Sequence, residues 1–372
     1  MACDPEWMLG HGILEAVMTA RQAILRYLRL LLPVVCAVDG NAQWLIQNSG
    51  TTAGLRGIHS VDGSVAWASG TEGTVVHTVD SGAHWQQCAV PPGAEKLDFR
   101  ALWAWDSRRA VVMSIGKGDQ SRLYKTIDGC KTWTQLFANP DAKGFWDGIA
   151  FRNEQEGTIL GDPVDGQFVI LATEDGGAHW SRDTDSGLMA NPKGQGAFAA
   201  SNTALVLTQE AVQFGTGGLG GPRIFRLRGR FQRSSSTGLG RWTSSEAPLA
   251  TGAESAGVFS LAYRDHDHGV AVGGDYRKPA DREGTAARTS DGGQTWTAAK
   301  ELPSGFRSAV AWDEHGKAWI AVGTNGADVS FDDGRNWQKF DSENNWNALS
   351  LPWAVGPKGK VGKLSGEAVK QK

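Results

Sequence analysis

Between residues 44 and 364 the apolar positions come in short runs, broken every few residues by Gly, Asn, Asp or Ser. Runs of this length, rich in Val, Ile, Trp and Ala and bounded by turn residues, predict β-strands rather than helices. Ahead of Trp85 they predict strands at 55–59, 65–69 and 74–78, followed by 85–87. Ahead of Trp296 the same grouping predicts 258–263, 270–273 and 286–289, followed by 296–298. Four short antiparallel strands per repeat is the pattern of one β-propeller blade.

A local signature marks the end of each repeat. An Asp is followed by small residues and, five positions on, by Trp. The clear copies are Asp80 to Trp85, Asp128 to Trp133, Asp175 to Trp180, Asp291 to Trp296 and Asp332 to Trp337. A degenerate copy at 237–242 has lost its Asp. The spacing between copies is about 40–60 residues, close to the repeat lengths of blade-forming modules. The Asp carboxylate can accept backbone N–H groups of its own turn, Gly supplies positive φ, and Trp can fill the seam to the next blade. These Asp residues are therefore read as structural.

Six such units reach about residue 340. Beyond them lie three more predicted strands, at 346–351, 353–355 and 360–364, without a fourth. The run Trp44-Leu45-Ile46-Gln47 resembles the last strand of the other units. The fold class expected is all-β, a seven-bladed propeller whose last blade is closed by the N-terminal strand. A six-bladed ring with loose ends is the alternative.

Composition agrees. The chain has 372 residues with 49 Gly and 16 Trp, which suits many tight turns and a recurring Trp position. A net charge of −3 gives no support for nucleic-acid binding. Residues 1–42 read as a leader. Arg21, Arg26 and Arg29 precede an apolar run at 30–38 and small residues at Gly40 and Ala42, the order of a secretory signal. Met18 is a plausible true start, with the signal at about 18–42. The apolar run is too short to span a bilayer. The expected locale is periplasmic or extracellular, and residues 43–372 form one propeller domain. Of four Cys, only Cys88 and Cys130 lie beyond the leader. The reading favours two buried thiols, with one disulfide as the form open to them in an oxidising compartment.

The Asp boxes resemble the bacterial neuraminidase repeat. Phrases such as Leu55-Arg56-Gly57-Ile58, Ala66-Trp67-Ala68-Ser69-Gly70, Gly161-Asp162-Pro163-Val164-Asp165-Gly166 and Gly273-Gly274-Asp275-Tyr276-Arg277-Lys278-Pro279 resemble the photosystem II stability/assembly factor family and its relatives in non-photosynthetic bacteria. That resemblance implies a seven-bladed propeller outside the cytoplasm acting as a binding or assembly scaffold. Sialidases share the Asp box but need an arginine triad and a Tyr–Glu pair. Arg56-Gly57-Ile58 stands where their Arg-Ile-Pro phrase belongs, and only Tyr124, Tyr263 and Tyr276 follow the leader.

Propeller geometry places candidate binding residues at the mouth of the central channel, on the face opposite the Asp boxes. Arg56, Arg100, Asp147, Phe259, Arg307 and Asn347 begin the innermost strands. Arginines there could bind a carboxylate or phosphate, or pair with Asp residues to hold the blades in register. Loops between second and third strands add Lys117, Asp119, Arg122, Asp162, Asp165, Asp275, Tyr276, Arg277 and Lys278. The longest insertion is read at Gly215 to about Gly240, with Arg223, Arg226, Arg228, Arg230 and Arg233. If the protein is a glycoside hydrolase, its carboxylates come from Asp147, Asp162, Asp165 and Asp275, with Tyr276 beside them. Asp265-His266-Asp267-His268 reads as a polar turn, because four adjacent residues cannot all reach one ion. No metal site or cofactor motif emerges. The expectation is a monomeric, non-enzymatic scaffold for an envelope or secreted protein or an anionic glycan or peptide, with a glycoside hydrolase as the alternative.

Overall fold

In the computed structural model, residues 43–229, 242–365 and 369 are described, so the leader, residues 237–241 of the degenerate box and Arg230 and Arg233 lie outside the described residues. Each predicted quartet folds as an antiparallel meander. The first blade is Leu55–Ser60, Ala66–Gly70, Val75–Thr78 and Gln86–Gln87, each strand paired to the next. The same order recurs from Asp98–Ala104 to Thr134–Ala138, from Trp146–Phe151 to Ser181–Arg182, and from Leu205–Leu207 to Thr243–Glu246. It recurs again from Ala256–Tyr263 to Thr297–Ala298 and from Ala309–Asp313 to Gln338–Asp341.

The seventh blade takes strands from both ends. Ala348–Ser350, Trp353–Val355 and Lys360–Leu364 are completed by Trp44–Asn48, with Trp44 opposite Leu364 and Asn48 opposite Lys360. The propeller has seven four-stranded blades with N-terminal closure, and the six-bladed alternative does not hold.

The turn chemistry explains why the repeats end where they do. In every clear box the Asp accepts the backbone N–H four residues on: His84 at 2.9 Å, Thr132 at 3.1 Å, His179 at 2.9 Å, Thr295 at 3.0 Å and Asn336 at 2.8 Å. A Thr or Ser two residues before the Asp donates to it and accepts a second N–H of the turn, as Thr78 does toward Asp80 and Gly82. The hydrogen bonds from His84 hold the Asp80 carboxyl down at about 2, and those from Thr132 and His179 do the same for Asp128 and Asp175. The boxes are self-contained turns, as their sequence implies.

Among the described residues the core is seven apolar clusters, each a seam between neighbouring blades. The box Trp enters the seam with the preceding blade. Trp85 meets Trp353 edge-on at 5.4 Å, and Trp337 packs with Val270 and Val272. One expectation is corrected at the first seam. Cys88 and Cys130 are not free thiols but a disulfide, with Cα atoms 5.2 Å apart. The connection after the first blade runs beside the second blade's Asp box, where the Ala89 N–H bonds the Cys130 carbonyl at 3.2 Å.

Closure depends on a well-packed anchor. Trp44 is 3% exposed and packs on Trp346 at 5.1 Å between ring centres. Replacing Trp44 by Ala is expected to cost about 3–5 kcal/mol of stability, the usual range for a buried Trp. A denaturant melt showing less than about 1 kcal/mol would mean that the ring does not depend on this strand.

Candidate functional site

The innermost strands carry the same irregularity at the channel mouth. The register slips between Leu55 and Gly57, Phe99 and Ala101, Trp146 and Gly148, and Val258 and Ser260. The residues left over in these bulges are Arg56, Arg100, Asp147 and Phe259. A bulge inserts one unpaired residue and re-aims its side chain, so the blade pattern itself delivers these four to one place.

A segment that the sequence reading missed comes between them. The connection into the fourth blade is long, and its residues 197–203 bond to several blades at once. Asn202, at φ +67°, accepts the Ile149 N–H at 2.8 Å and donates to the Leu102 carbonyl at 3.1 Å. Ser201 donates to the Ser308 carbonyl at 2.7 Å, and Thr203 donates to Ser260 Oγ at 2.8 Å. Ala197 N–H reaches Asp162, and Phe198 stacks on Phe259 at 3.9 Å. Contacts to the second, third, fifth and sixth blades from seven consecutive residues make this segment a plug across the channel. The longest insertion, read at Gly215–Gly240, is therefore only part of the extra length in this repeat.

Ahead of the plug, Gln195–Gly196 pairs with Gly217–Gly218, and Gly217 pairs with Gly257, extending the fifth blade inward to six strands. A Cβ on Gly217 would lie 2.3 Å from the Ala256 carbonyl oxygen, so only glycine allows this approach.

The bulge residues differ in what they do. Arg100 is held by Asp98 at 2.9 Å and donates to the Ala199 carbonyl of the plug at 3.1 Å. Arg56 is half-buried beside it and has no hydrogen bond or ion pair among the described residues. Burial and the Arg100 charge lower its pKa, while Asp98 compensates only in part. Arg56 is thus a desolvated cation with no carboxylate of its own among the described residues. Arg307 is different: it is fully buried, forks onto Asp328 and reaches Asn325 and the Phe306 carbonyl. It braces the sixth blade and offers nothing to a ligand. Asn347 donates to the Leu55 carbonyl at 2.8 Å, tying the seventh blade to the first.

Asp147 is 2% exposed, and one of its oxygens has no partner. Burial raises its pKa well above the usual carboxylate range, and the Asp162 charge raises it further. Burial also raises Asp162. Neither is an open acid facing a cleft. Asp165 is exposed with Lys143 at 3.4 Å, and Asp275 is buried in a turn capping the Arg277 N–H at 3.0 Å.

The remaining candidates spread along the rim. Lys117 and Lys278 are exposed. Arg122 is tied to the Asp119 carbonyl at 2.6 Å and the Gly93 carbonyl at 3.1 Å. Tyr276 is 46% exposed, lies edge-on to Phe259, and has Arg277 over its ring at 5.8 Å. Arg223, Arg226 and Arg228 lie on a strand, Arg223–Arg228, with Arg226 buried. Asp265 accepts the N–H groups of Asp267 and His268, closing that turn on itself.

With this geometry in hand, similarity to solved structures is informative. YCF48 bound to D1 peptide is 16% identical at a TM-score of 0.56, covering 87% of this chain and 97% of that one. YCF48 from Cyanidioschyzon merolae is 18% identical at 0.55, covering 88% and 100%. The WD40 β-propeller domain of Doa1 is 9% identical at 0.55, covering 88% and 98%. The fold is a YCF48-like β-propeller. No family model matches the chain, and no curated protein matches it.

Asp147 supplies a test of the mouth's electrostatics. A carboxyl whose pKa is raised on folding destabilises the fold as pH rises above its unfolded value of about 4. Asp147→Asn, which mimics the neutral acid, should raise the melting temperature at pH 7.5 and converge with the parent near pH 4. A variant that melts lower than the parent at pH 7.5 would show that the charged form is the one the site holds.

Proposed function

We propose that this protein is a non-enzymatic scaffold that binds a protein segment at the channel mouth, through a carboxylate set against Arg56 and Arg100. The observation that carries this reading is the Arg56 guanidinium, half-buried beside a second arginine with no partner of its own. A desolvated, under-neutralised guanidinium favours a planar anion that it can grip with two N–H groups. The plug joins this cationic side to an aromatic one. Ala199 takes the Arg100 hydrogen bond while its neighbour Phe198 stacks on Phe259, whose edge meets Tyr276. A peptide carboxylate flanked by an apolar or aromatic side chain matches both halves. The similarity to YCF48 bound to D1 peptide supports a peptide partner over a glycan.

Glycoside hydrolysis is the weaker reading, because one of its two neighbouring carboxyls is buried and the other is engaged by the plug. Asp147 is shut from solvent and Asp162 accepts the Ala197 N–H of the plug. An envelope or secreted setting is supported by the leader pattern and by the Cys88–Cys130 disulfide, which persists in oxidising compartments.

The test is an array of short peptides with acidic or free C-terminal ends, each printed also in its amidated form. Free-carboxylate peptides should bind, and binding should fall with added salt. Arg56→Ala should weaken it about tenfold, the equivalent of ~1.4 kcal/mol, without lowering the melting temperature. Equal binding of amidated peptides, or an Arg56→Ala variant that binds unchanged, would contradict the proposal.

A further inference from the structure

Cys130 stands where the other clear Asp boxes carry Gly82, Gly177, Gly293 and Gly334. Its φ is +58°, in the left-handed region that favours glycine. A side chain at this position is conformationally costly, so its presence calls for a use. The sulfur enters the seam between the first and second blades, where it meets Cys88.

A third group is already there. A ring nitrogen of His77 and the two sulfurs lie within 4.8 Å of one another, and all three residues are buried. The His77 ring stacks on Trp67 at 4.5 Å, which fixes its plane. His77 Nε2 lies 3.1 Å from Gln86 Oε1, an oxygen that can only accept, so Nε2 carries the proton. Nδ1 therefore presents a lone pair, and it is buried with no partner. A disulfide by itself needs no imidazole beside it, and a buried ring nitrogen without a partner is unfavourable.

We propose that Cys88, Cys130 and His77 form a zinc site when the disulfide is reduced. A dithiol, or a phosphine with one water, supplies two electrons and two protons: the S–S bond breaks, each sulfur becomes a thiol, and the reductant leaves as its disulfide or, having taken the water's oxygen, as the phosphine oxide. Zinc then displaces both thiol protons, and the two thiolates with a neutral imidazole balance its charge. Water completes four ligands. Neutrality suits a buried seam, whereas a monovalent copper ion on the same ligands leaves one negative charge there. The His77 N–H to Gln86 is the outer hydrogen bond that zinc-bound histidines usually make. Disulfide and zinc are thus alternative clasps on one seam, selected by redox state.

The test titrates zinc into the full chain in two states, oxidised and phosphine-reduced, against a chromophoric chelator. Cobalt(II) serves as a coloured stand-in. The reduced chain should take up one zinc, show thiolate-to-cobalt charge-transfer bands, and melt higher with zinc than without. The oxidised chain should do none of these. His77→Gln should weaken zinc at least about tenfold while its oxidised form still melts like the parent. Three results overturn the proposal: equal zinc uptake by the oxidised chain, unchanged zinc affinity in His77→Gln, or a reduced chain that neither binds zinc nor is restored by it. Uptake of copper(I) but not zinc overturns the zinc assignment. None of these readouts involves peptide binding at the mouth.

Discussion

A blade can bury its faces only against its neighbours, so everything here rests on closing the ring. Among the described residues every apolar cluster is shared between two blades. An open ring would leave one seam wet and one sheet edge unpaired. The pairing of Trp44–Asn48 with Lys360–Leu364 removes both faults: it completes the seventh blade, which fills one seam with the sixth through Trp44 and another with the first through Trp353 against Trp85. The Asp boxes serve the same end. Each fixes its turn locally and delivers one Trp to a seam.

Closure also determines what the mouth can be. Seven innermost strands converge, and four of them carry a bulge that leaves over Arg56, Arg100, Asp147 or Phe259. Such a ring would be crowded with uncompensated groups if it were merely symmetrical. The fourth blade breaks the symmetry by sending residues 197–203 across the channel. That plug satisfies backbone groups on several blades and takes a hydrogen bond from Arg100, and it leaves Arg56 without a partner among the described residues.

The repeat, the blade count and the N-terminal closure were legible in the sequence because they depend on local chemistry. Thr78, Asp80 and Trp85 do in one turn what Thr289, Asp291 and Trp296 do in another. The fates of the mouth residues were not legible. Arg56 and Arg307 stand in similar phrases, yet Arg307 is neutralised by Asp328, which pairs across from Ala321. Arg307 also stands one place earlier in its strand than Arg56: its N–H bonds the Gly273 carbonyl as that of Leu55 bonds the Gly356 carbonyl. Neither that offset nor a carboxylate two strands away has a local signal. The plug was hidden for the same reason, although the long interval between Trp180 and Trp242 announced extra chain. The disulfide did have a signal: a cysteine in the glycine position of one Asp box.

The central claim is that ligands meet this propeller at the plugged mouth and not at the Asp-box face. Hydrogen–deuterium exchange with and without an acidic peptide tests it most directly, because the two faces are read in one experiment. The account predicts added protection at residues 55–59, 98–102 and 197–203, with 80–85, 128–133 and 175–180 unchanged. Protection confined to the Asp-box segments would contradict it.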